Sequence, residues 1–262
     1  MNDVSIYLAD STTMLRRNLV RMRRYPMFFF VAGIPIVMML LFVYVFGGTL
    51  GAGIGGVTGG RDEYVAYVVP GILMLAVAGG AQGTAIAVAM DMSEGIVARF
   101  RTMPISRMSV LTGHVVANTL QTMVAIAIVV AVAVLIGFRP STGPIEWVGA
   151  AGIVALTTVA LTWISVAMGL VSKSVEAASN LPMPLMLLPF FGSGFVPTAS
   201  MPEALRVFAD VQPFTPIMET LRRLLLGGEL GGQALVAVGW CVAISVGGYL
   251  WARRLYDRDP AR

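Results

Sequence analysis

The sequence has 262 residues, of which 57% are hydrophobic and 12% are charged, and its mean hydropathy is +0.81. A soluble domain is usually about 45–50% apolar and about 25% charged, so this composition excludes an ordinary soluble enzyme and indicates one polytopic membrane domain over residues 1–262. The formal net charge of +4 comes from basic residues between apolar stretches, which is a topology signal and not a nucleic-acid-binding surface.

Residues 1–26 precede the first apolar stretch and predict a helix that lies in the membrane surface. Leu8, Leu15, Leu19 and Met22 recur at helical spacing on one side. The arginines gather elsewhere, where they would face anionic headgroups and anchor the helix to membrane lipids: Arg16, Arg17, Arg21 and Arg24. The alternative is a simple basic anchor ahead of the first span.

Six stretches have about the 20 apolar residues that a helix needs to cross a bilayer core of about 30 Å. None of them contains Asp, Glu, Lys or Arg. The fifth contains Pro182, Pro184 and Pro189, which free backbone carbonyls and would bend it. The sequence therefore predicts an all-α membrane protein with six transmembrane helices, at approximately 27–46, 64–90, 113–138, 147–171, 178–196 and 233–252.

The basic residues predict the orientation of these spans. With a cytoplasmic N-terminus, 13 of the 18 lysines and arginines fall on the cytoplasmic side. An even number of spans brings the C-terminus to the same side. We therefore expect a multi-pass protein of a bacterial cell membrane with both termini in the cytoplasm.

The cytoplasmic connection between spans two and three, "EGIVARFRTMPISRMSVLTG", combines charge with a helical apolar stripe. Ile96, Phe100 and Met103 recur at i, i+4 and i+7, and Pro104 ends the pattern. The pattern predicts a short amphipathic helix at the membrane surface that presents a charged face to a partner. A solvated loop would explain the charge but not the stripe.

The external connection between spans five and six is about 35 residues long and predicts two short helices that lie on or dip into the outer leaflet. Pro202 suits the first position of one helix, and Thr215 followed by Pro216 suits the start of the second. Gly227 and Gly228 provide the stop.

Neutral polar residues in spans two to five must face inward, where they either bond helix to helix or line a translocation path. Adhesion between helices is the default interpretation, and bent, polar helices also suit a path. The candidate path residues are Gln82, Thr84, Asn118, Gln121, Thr122, Thr158, Thr162, Pro182, Pro184 and Pro189. Gly79 and Gly83 form a G-x-x-x-G pair that would allow a close helix approach.

Several kinds of active site are excluded by motif. Residues 51–56, "GAGIGG", match a dinucleotide fingerprint but follow a membrane span, so we interpret them as an external loop. The chain has no P-loop, no H-E-x-x-H, no G-x-S-x-G and no cluster of metal ligands. The one histidine, His114, is expected at the membrane interface and not in a proton relay.

The connection quoted above, together with "GFVPTASMPEALRVFADVQPFTPIMETLRR", resembles the ABC-2-type exporter permeases, in particular the daunorubicin-resistance-like branch. The resemblance covers nearly the whole chain. It implies a transport subunit that is not itself an enzyme and carries no cofactor. A separate ABC ATPase would hold ATP and Mg²⁺, and a second permease, a copy or a paralogue, would complete the exporter. It also implies an N-terminal connecting helix and short re-entrant helices before the last span.

The resemblance further implies that the connection between spans two and three is the coupling helix that contacts the ATPase. By position this role falls on Glu94, Gly95, Arg99, Phe100, Arg101, Pro104, Ser106 and Arg107. Gly95 departs from the family pattern, in which a charged residue is common after the acid. The expected cargo is a hydrophobic drug, a lipid or a polyketide-like molecule moved outward. An ATPase-independent channel and a membrane-embedded lipid-modifying enzyme are the alternatives.

Overall fold

The computed structural model describes residues 12–13, 15–16, 18, 27–55, 60–95 and 107–258. Over these residues the chain is helical and has no β-strand, which confirms the predicted all-α class. The elements, in chain order, are α1 (Met27–Leu41), a π-helical turn (Phe42–Phe46), α2 (Gly47–Gly55), α3 (Arg61–Ser93), α4 (Arg107–Leu135), α5 (Pro144–Val171), α6 (Val175–Asn180), α7 (Met183–Leu187), two 3-10 turns (Leu188–Phe191 and Thr198–Ser200), α8 (Glu203–Val211), α9 (Phe214–Leu226) and α10 (Gly231–Arg258).

Five helices in the described part of the chain are long and apolar enough to cross a membrane: Phe30–Gly51, Arg61–Ser93, Met108–Leu135, Pro144–Val171 and Gly231–Asp257. They coincide with five of the six predicted spans. The predicted glycine-rich loop at 51–56 is wrong over most of its length, because α2 continues the first helix through the π-helical turn to Gly55. Gly51 packs against the backbone of Gly60 there, where a side chain would not fit.

Helix α3 is the central element of the fold. In its most apolar window 83% of the residues are buried, against 17% for α10, because α3 packs against α1, α4, α5 and α9 while α10 covers mainly α5. At 33 residues α3 is about 50 Å long, which exceeds a bilayer core of about 30 Å. Helix α3 is therefore longer than a perpendicular crossing of the bilayer core requires.

Close helix packing depends on glycines, but Gly79 of the predicted pair is not one of them. A Cβ at Gly169 of α5 would lie 2.6 Å from the Ala85 carbonyl oxygen, and one at Gly248 of α10 would lie 2.8 Å from the Ile164 nitrogen. Both positions therefore require glycine for the helices to approach this closely. Gly79 has no atom within 4 Å of an added Cβ, so the expected close approach at this residue is wrong.

The predicted fifth span, 178–196, is not one continuous helix. It is divided into α6, α7 and the 3-10 turn at Leu188–Phe191, because Pro182 stands at the start of α7 and Pro189 within the 3-10 turn, where neither can donate a backbone hydrogen bond. This interrupted segment, residues 175–196, still follows α3 for much of its length. Gln82 Nε2 of α3 donates to the Ser179 carbonyl (2.6 Å), and Tyr64 Oη donates to the Phe195 carbonyl (3.5 Å). Those two α3 residues are about 27 Å apart along the helix axis.

Two short helices precede the last long helix, as predicted. Their starts differ from the prediction: Pro202 is the cap of α8 and not its first residue, and α9 begins at Phe214, so that Thr215 and Pro216 lie in its first turn. Gly227, with φ +91°, ends α9 as expected. Most of α9 is buried against α3, α5 and α10, whereas α8 is largely exposed.

Most of the predicted surface helix over 1–26 lies outside the described residues. Thr12, Thr13, Leu15, Arg16 and Asn18 are helical, with Arg16 exposed and Asn18 buried. Arg17, Arg21 and Arg24 lie outside the described part, as do Arg99, Phe100, Arg101, Pro104 and Ser106 of the predicted coupling helix.

Candidate functional site

A cavity of about 500 Å³ lies between α1, α3 and the interrupted segment. This volume is within the range that accommodates a drug-sized ligand. Its lining consists of Phe30, Val31, Ile34, Pro35 and Met38 from α1, Leu75, Gly79, Gln82, Gly83 and Ile86 from α3, and Met183, Met186, Leu187 and Phe190 from the interrupted segment. The cavity opens toward the outside of the bundle, since Phe30, Ile34 and Met183 are substantially exposed.

The chemistry of this lining is almost wholly apolar. Gln82 is the one polar side chain among the described lining residues, and its amide nitrogen is held by the Ser179 carbonyl. Its amide oxygen is therefore the acceptor that the lining side chains can offer to a bound molecule. The arrangement suits an apolar or amphipathic ligand with a polar group near the middle of α3.

Methionine and aromatic residues make the cavity wall adaptable. Met38, Met183 and Met186 have unbranched, polarizable side chains that can fill differently shaped gaps, and Phe190 offers a ring face. Phe190 stacks on Phe195 with ring centroids 4.5 Å apart, which fixes it at one end of the cavity. Such a wall favours binding of bulky apolar molecules without demanding one shape.

Backbone irregularities border the cavity on two sides. Pro35 interrupts the hydrogen-bond ladder of α1, and the π-helical turn begins seven residues later, at Phe42. On the opposite side, the breaks around Pro182 and Pro189 divide the interrupted segment. The continuous helix α3 forms the third side.

Most of the candidate path residues lie elsewhere. Thr84, Asn118, Thr122, Thr158 and Thr162 are almost completely buried between α3, α4 and α5. Asn118 Nδ2 donates to Thr162 Oγ1 (2.8 Å), and Thr122 Oγ1 donates to Asn118 Oδ1 (3.4 Å). Thr84, Thr158 and Thr162 each donate to the backbone carbonyl four residues earlier. Among these bonds, the one between Asn118 and Thr162 joins two helices, as the adhesive interpretation expects, and the others lie within a single helix.

Of the ten candidate path residues, only Gln82 lines the cavity. Gln121 is half-buried on α4, Pro184 is exposed, and Pro182 and Pro189 are buried beside the cavity wall. The lining residues from α1 and α7 were missed by sequence reasoning, because an apolar residue that faces a cavity is identical in pattern to one that faces lipid. A cluster of methionines around three prolines, residues 182–189, was the one available signal.

The described part of the predicted coupling helix consists of its two ends. Glu94 is the exposed C-cap of α3, and its N–H donates to the Met90 carbonyl (2.9 Å). Gly95, with φ +67°, then ends the helix in a left-handed conformation that favours glycine. Arg107 is the first residue of α4. The glycine that departs from the family pattern thus serves as a helix stop.

Two ionisable side chains are buried beside these ends. His114 of α4 is buried, and its Nε2 lies 3.1 Å from Asp91 Oδ2 of α3. Its expected position at the membrane interface stays a prediction. Asp91 lies one residue beyond the predicted span, so its burial was not anticipated. Groups of three or more His, Cys, Asp or Glu that could hold a metal ion are absent from the described residues.

Arg222 of α9 fixes the other end of α3. Its guanidinium donates to the carbonyls of Tyr67 (3.2 Å) and Ser193 (2.7 Å), pairs with Glu219 and covers the Tyr67 ring at 4.0 Å. One side chain therefore joins α9, α3 and the turn that ends the interrupted segment. Sequence reasoning counted Arg222 only as an external positive charge.

The chain was compared with known proteins. The profile of the family described as "ABC-2 type transporter" matches residues 11–226, which end at the last residue of α9. The daunorubicin resistance ABC transporter permease protein DrrB1 of Streptomyces coeruleorubidus is 28% identical over 223 residues, covering 84% of this chain and 76% of the relative. The probable doxorubicin resistance ABC transporter permease protein DrrC of Mycobacterium tuberculosis (strain CDC 1551 / Oshkosh) is 25% identical over 245 residues, covering 94% and 87%.

Proposed function

The chain belongs to the ABC-2 type transporter family, and from this premise we propose that it is the membrane permease subunit of an ATP-driven exporter of hydrophobic molecules. The apolar cavity between α1, α3 and the interrupted segment is the observation that carries the proposal. It gives a membrane protein of this family a place in which a drug-sized apolar molecule can be held.

The substrate class follows from the chemistry of the cavity. A lining of aliphatic, aromatic and methionine side chains with one glutamine favours a bulky amphipathic molecule, such as a lipid, a drug or a polyketide. The names of the two relatives, which refer to daunorubicin and doxorubicin resistance, support an anthracycline-like molecule as the first to test. Export of such a molecule would confer drug resistance on the cell.

The free energy for transport would come from a separate ABC ATPase, which would hold ATP and Mg²⁺. The chain lacks a P-loop, and no ionisable side chain lines the described cavity, so neither its own ATP site nor an ion gradient at this cavity explains active transport. We assign contact with the ATPase to the connection between α3 and α4, with Glu94, Gly95, Arg99, Phe100, Arg101, Pro104, Ser106 and Arg107 as its residues. Closure of the ATPase would move this connection and, through it, α3.

The topology would have six crossings, the fifth being the interrupted segment. It passes from near Gln82 to near Tyr64 of α3, about 27 Å along that helix, which approaches the thickness of a bilayer core. Both termini would then lie in the cytoplasm, in agreement with the distribution of basic residues. In this arrangement α8 and α9 are re-entrant helices of the outer leaflet, residues 1–26 form the surface helix, and residues 1–262 form one domain.

The proposal is tested by reconstitution. The chain is co-expressed with a candidate partner ABC ATPase from the same genome, purified in mild detergent and placed in proteoliposomes, and uptake of doxorubicin is followed by fluorescence quenching. We expect ATP-dependent accumulation, doxorubicin-stimulated ATP hydrolysis and a complex of two permeases with two ATPases. The control is the same complex with an ATPase variant that cannot hydrolyse ATP.

Two other results would contradict the proposal. ATP-independent flux through the permease alone would indicate a channel. A chemically altered lipid in the absence of flux would indicate a membrane-embedded enzyme.

A further inference from the structure

The buried contact between Asp91 and His114 joins the two helices that flank the α3–α4 connection. The Asp91 and His114 side chains are 1% and 7% exposed, and their Oδ2 and Nε2 atoms are 3.1 Å apart. A buried hydrophobic cluster built by four helices includes residues one turn before each of them, Val88 of α3 and Leu111 of α4, together with Val115 of α4, Trp163 of α5 and Tyr256 of α10. An ionised carboxylate can only accept, so in that state the imidazole Nε2 carries the hydrogen of this bond.

Adhesion between helices does not require such a pair. One turn further along α4, Asn118 joins α4 to α5 through Thr162 with neutral groups alone. A buried carboxylate carries a large desolvation cost, and removing its partner is strongly destabilising. An acid and an imidazole at this position therefore indicate a demand for a strong, directional link and not for adhesion alone.

The position of the pair indicates what the link connects. Asp91 precedes the α3 end cap Glu94 by three residues, and His114 follows the first α4 residue Arg107 by seven. The contact thus closes the base of the connection between the two helices. On the other side, the cavity-lining residue Ile86 is only about 7.5 Å along α3 from Asp91.

We infer that Asp91 and His114 form a positioning clamp that holds the ends of α3 and α4 together, so that movement of the connection is delivered to the cavity wall on α3. The inference rests on the proposed function, since it needs an ATPase that moves the connection. Without the clamp the two helix ends would separate under load, and ATPase closure would deform the loop instead of moving α3. Asp91 and His114 would act on substrate only through the position of α3.

The test measures doxorubicin moved per ATP hydrolysed by the reconstituted complex. D91N and H114Q keep side-chain size and remove the charge-assisted link, and the exchange variant D91H/H114D restores it with reversed polarity. We expect each single variant to assemble with the ATPase and hydrolyse ATP while moving at least about fivefold less doxorubicin per ATP. The exchange variant should recover at least about half of the loss. T157V, which removes a buried hydroxyl bonded to the Ile153 carbonyl, is the matched control and should keep the wild-type ratio.

Each contrary outcome has a distinct meaning. Single variants that keep the wild-type ratio, or an exchange variant as poorly coupled as the single ones, would overturn the clamp while leaving the exporter intact. A wild-type complex that hydrolyses ATP without moving doxorubicin or any lipid probe would overturn the proposed function, and the clamp with it. Equal loss in T157V would reduce the effect to general destabilisation and would also overturn the clamp.

Discussion

Gly71 of α3 and Gly194 of the interrupted segment approach so closely that a Cβ at Gly71 would lie 2.7 Å from the Gly194 carbonyl oxygen. Backbone packs directly on backbone at this point, so neither neighbour can move aside as a flexible side chain could. The contact fixes the end of the interrupted segment against α3, the central helix of the fold.

The substitution Gly71→Ala should therefore destabilise the protein. Inserting a methyl group into this contact should lower the free energy of unfolding by about 1–3 kcal/mol, since the backbones must separate to admit it. The midpoint of thermal unfolding, followed by fluorescence-detected size exclusion, reports the change. Gly79→Ala is the matched control, because a Cβ at Gly79 meets no atom within 4 Å. Equal midpoints for the two variants would show that the close approach is not needed.

Gln82→Ala should weaken binding of substrates that carry a polar group. The substitution removes the cavity's amide, and a net hydrogen bond contributes about 0.5–1.5 kcal/mol, so the apparent KM for doxorubicin should rise by about two- to tenfold. ATP hydrolysis without substrate should stay at the wild-type rate. Gln233→Ala, on the exposed start of α10, is the control and should leave KM unchanged. An unchanged KM in Gln82→Ala would place the substrate elsewhere.

Glu94→Ala and Arg101→Glu should uncouple the permease from its ATPase. Both change the charged face that we assign to the ATPase contact, so the protein should insert normally but lose substrate-stimulated ATP hydrolysis. The measurement compares ATP turnover with and without doxorubicin in purified complexes. Glu203→Ala, an exposed acid at the start of α8, is the control. Full stimulation in Glu94→Ala and Arg101→Glu would remove the coupling role from this connection.

The substitution Arg222→Lys should destabilise the protein, because a lysine cannot make all the contacts of the Arg222 guanidinium. The guanidinium contacts two carbonyls, Glu219 and the Tyr67 ring at once, whereas an ammonium is a compact donor without the planar fork. We expect a loss of about 1–3 kcal/mol in the free energy of unfolding, because buried carbonyls and a carboxylate lose partners. Arg223→Lys is the control, since Arg223 contacts only the exposed carbonyls of Glu229 and Leu230. If Arg222→Lys keeps the wild-type free energy of unfolding, the contacts of the guanidinium do not stabilise the fold.

A reporter fused after residue 262 should be cytoplasmic. Five crossings from a cytoplasmic N-terminus would place the C-terminus outside, so the side of the reporter decides whether the interrupted segment crosses the membrane. A cysteine introduced at Ser200 in a Cys241→Ser background should react with a membrane-impermeant thiol reagent applied from outside. An external reporter, or a Ser200→Cys that reacts only from inside, would contradict six crossings.

The sequence was sufficient for those parts of the fold that follow from continuous apolar length. Five helices appear where the hydropathy places them, and Gly227 ends α9 as its position predicts. The division of the interrupted segment was only partly predictable, since Pro182 and Pro189 indicate bending but not the number of pieces. The glycine-rich stretch after the first span was predicted wrongly, because packing against Gly60 retains a helix that propensity alone would end.

The functional residues were predictable only where polarity distinguishes them. Asn118 and Thr162 are conspicuous as polar residues in apolar spans, yet they bond to each other and do not line the cavity. Its lining consists mostly of apolar residues such as Met38 and Met186. Which face of α1 lines a cavity depends on where α3 and α7 stand, and no local pattern encodes that. The contact of His114 with Asp91 could not be predicted for a similar reason, since the two residues are 23 positions apart on different helices.

The cavity has one rigid side, formed by α3, and one side that can bend, formed by the interrupted segment. Helix α3 contains Pro70, but over residues 75–86, which line the cavity, it is a continuous and closely packed helix without proline, so this part resists bending. The opposite side is a chain of short helices whose joints, at 181–182 and 187–188, already lack part of the regular hydrogen-bond ladder. Bending at these joints breaks few bonds, so the space between the two sides can widen or narrow at low energetic cost. Tolerance of substrates that differ in size and shape would then be a property of the backbone as much as of the side chains that face the cavity.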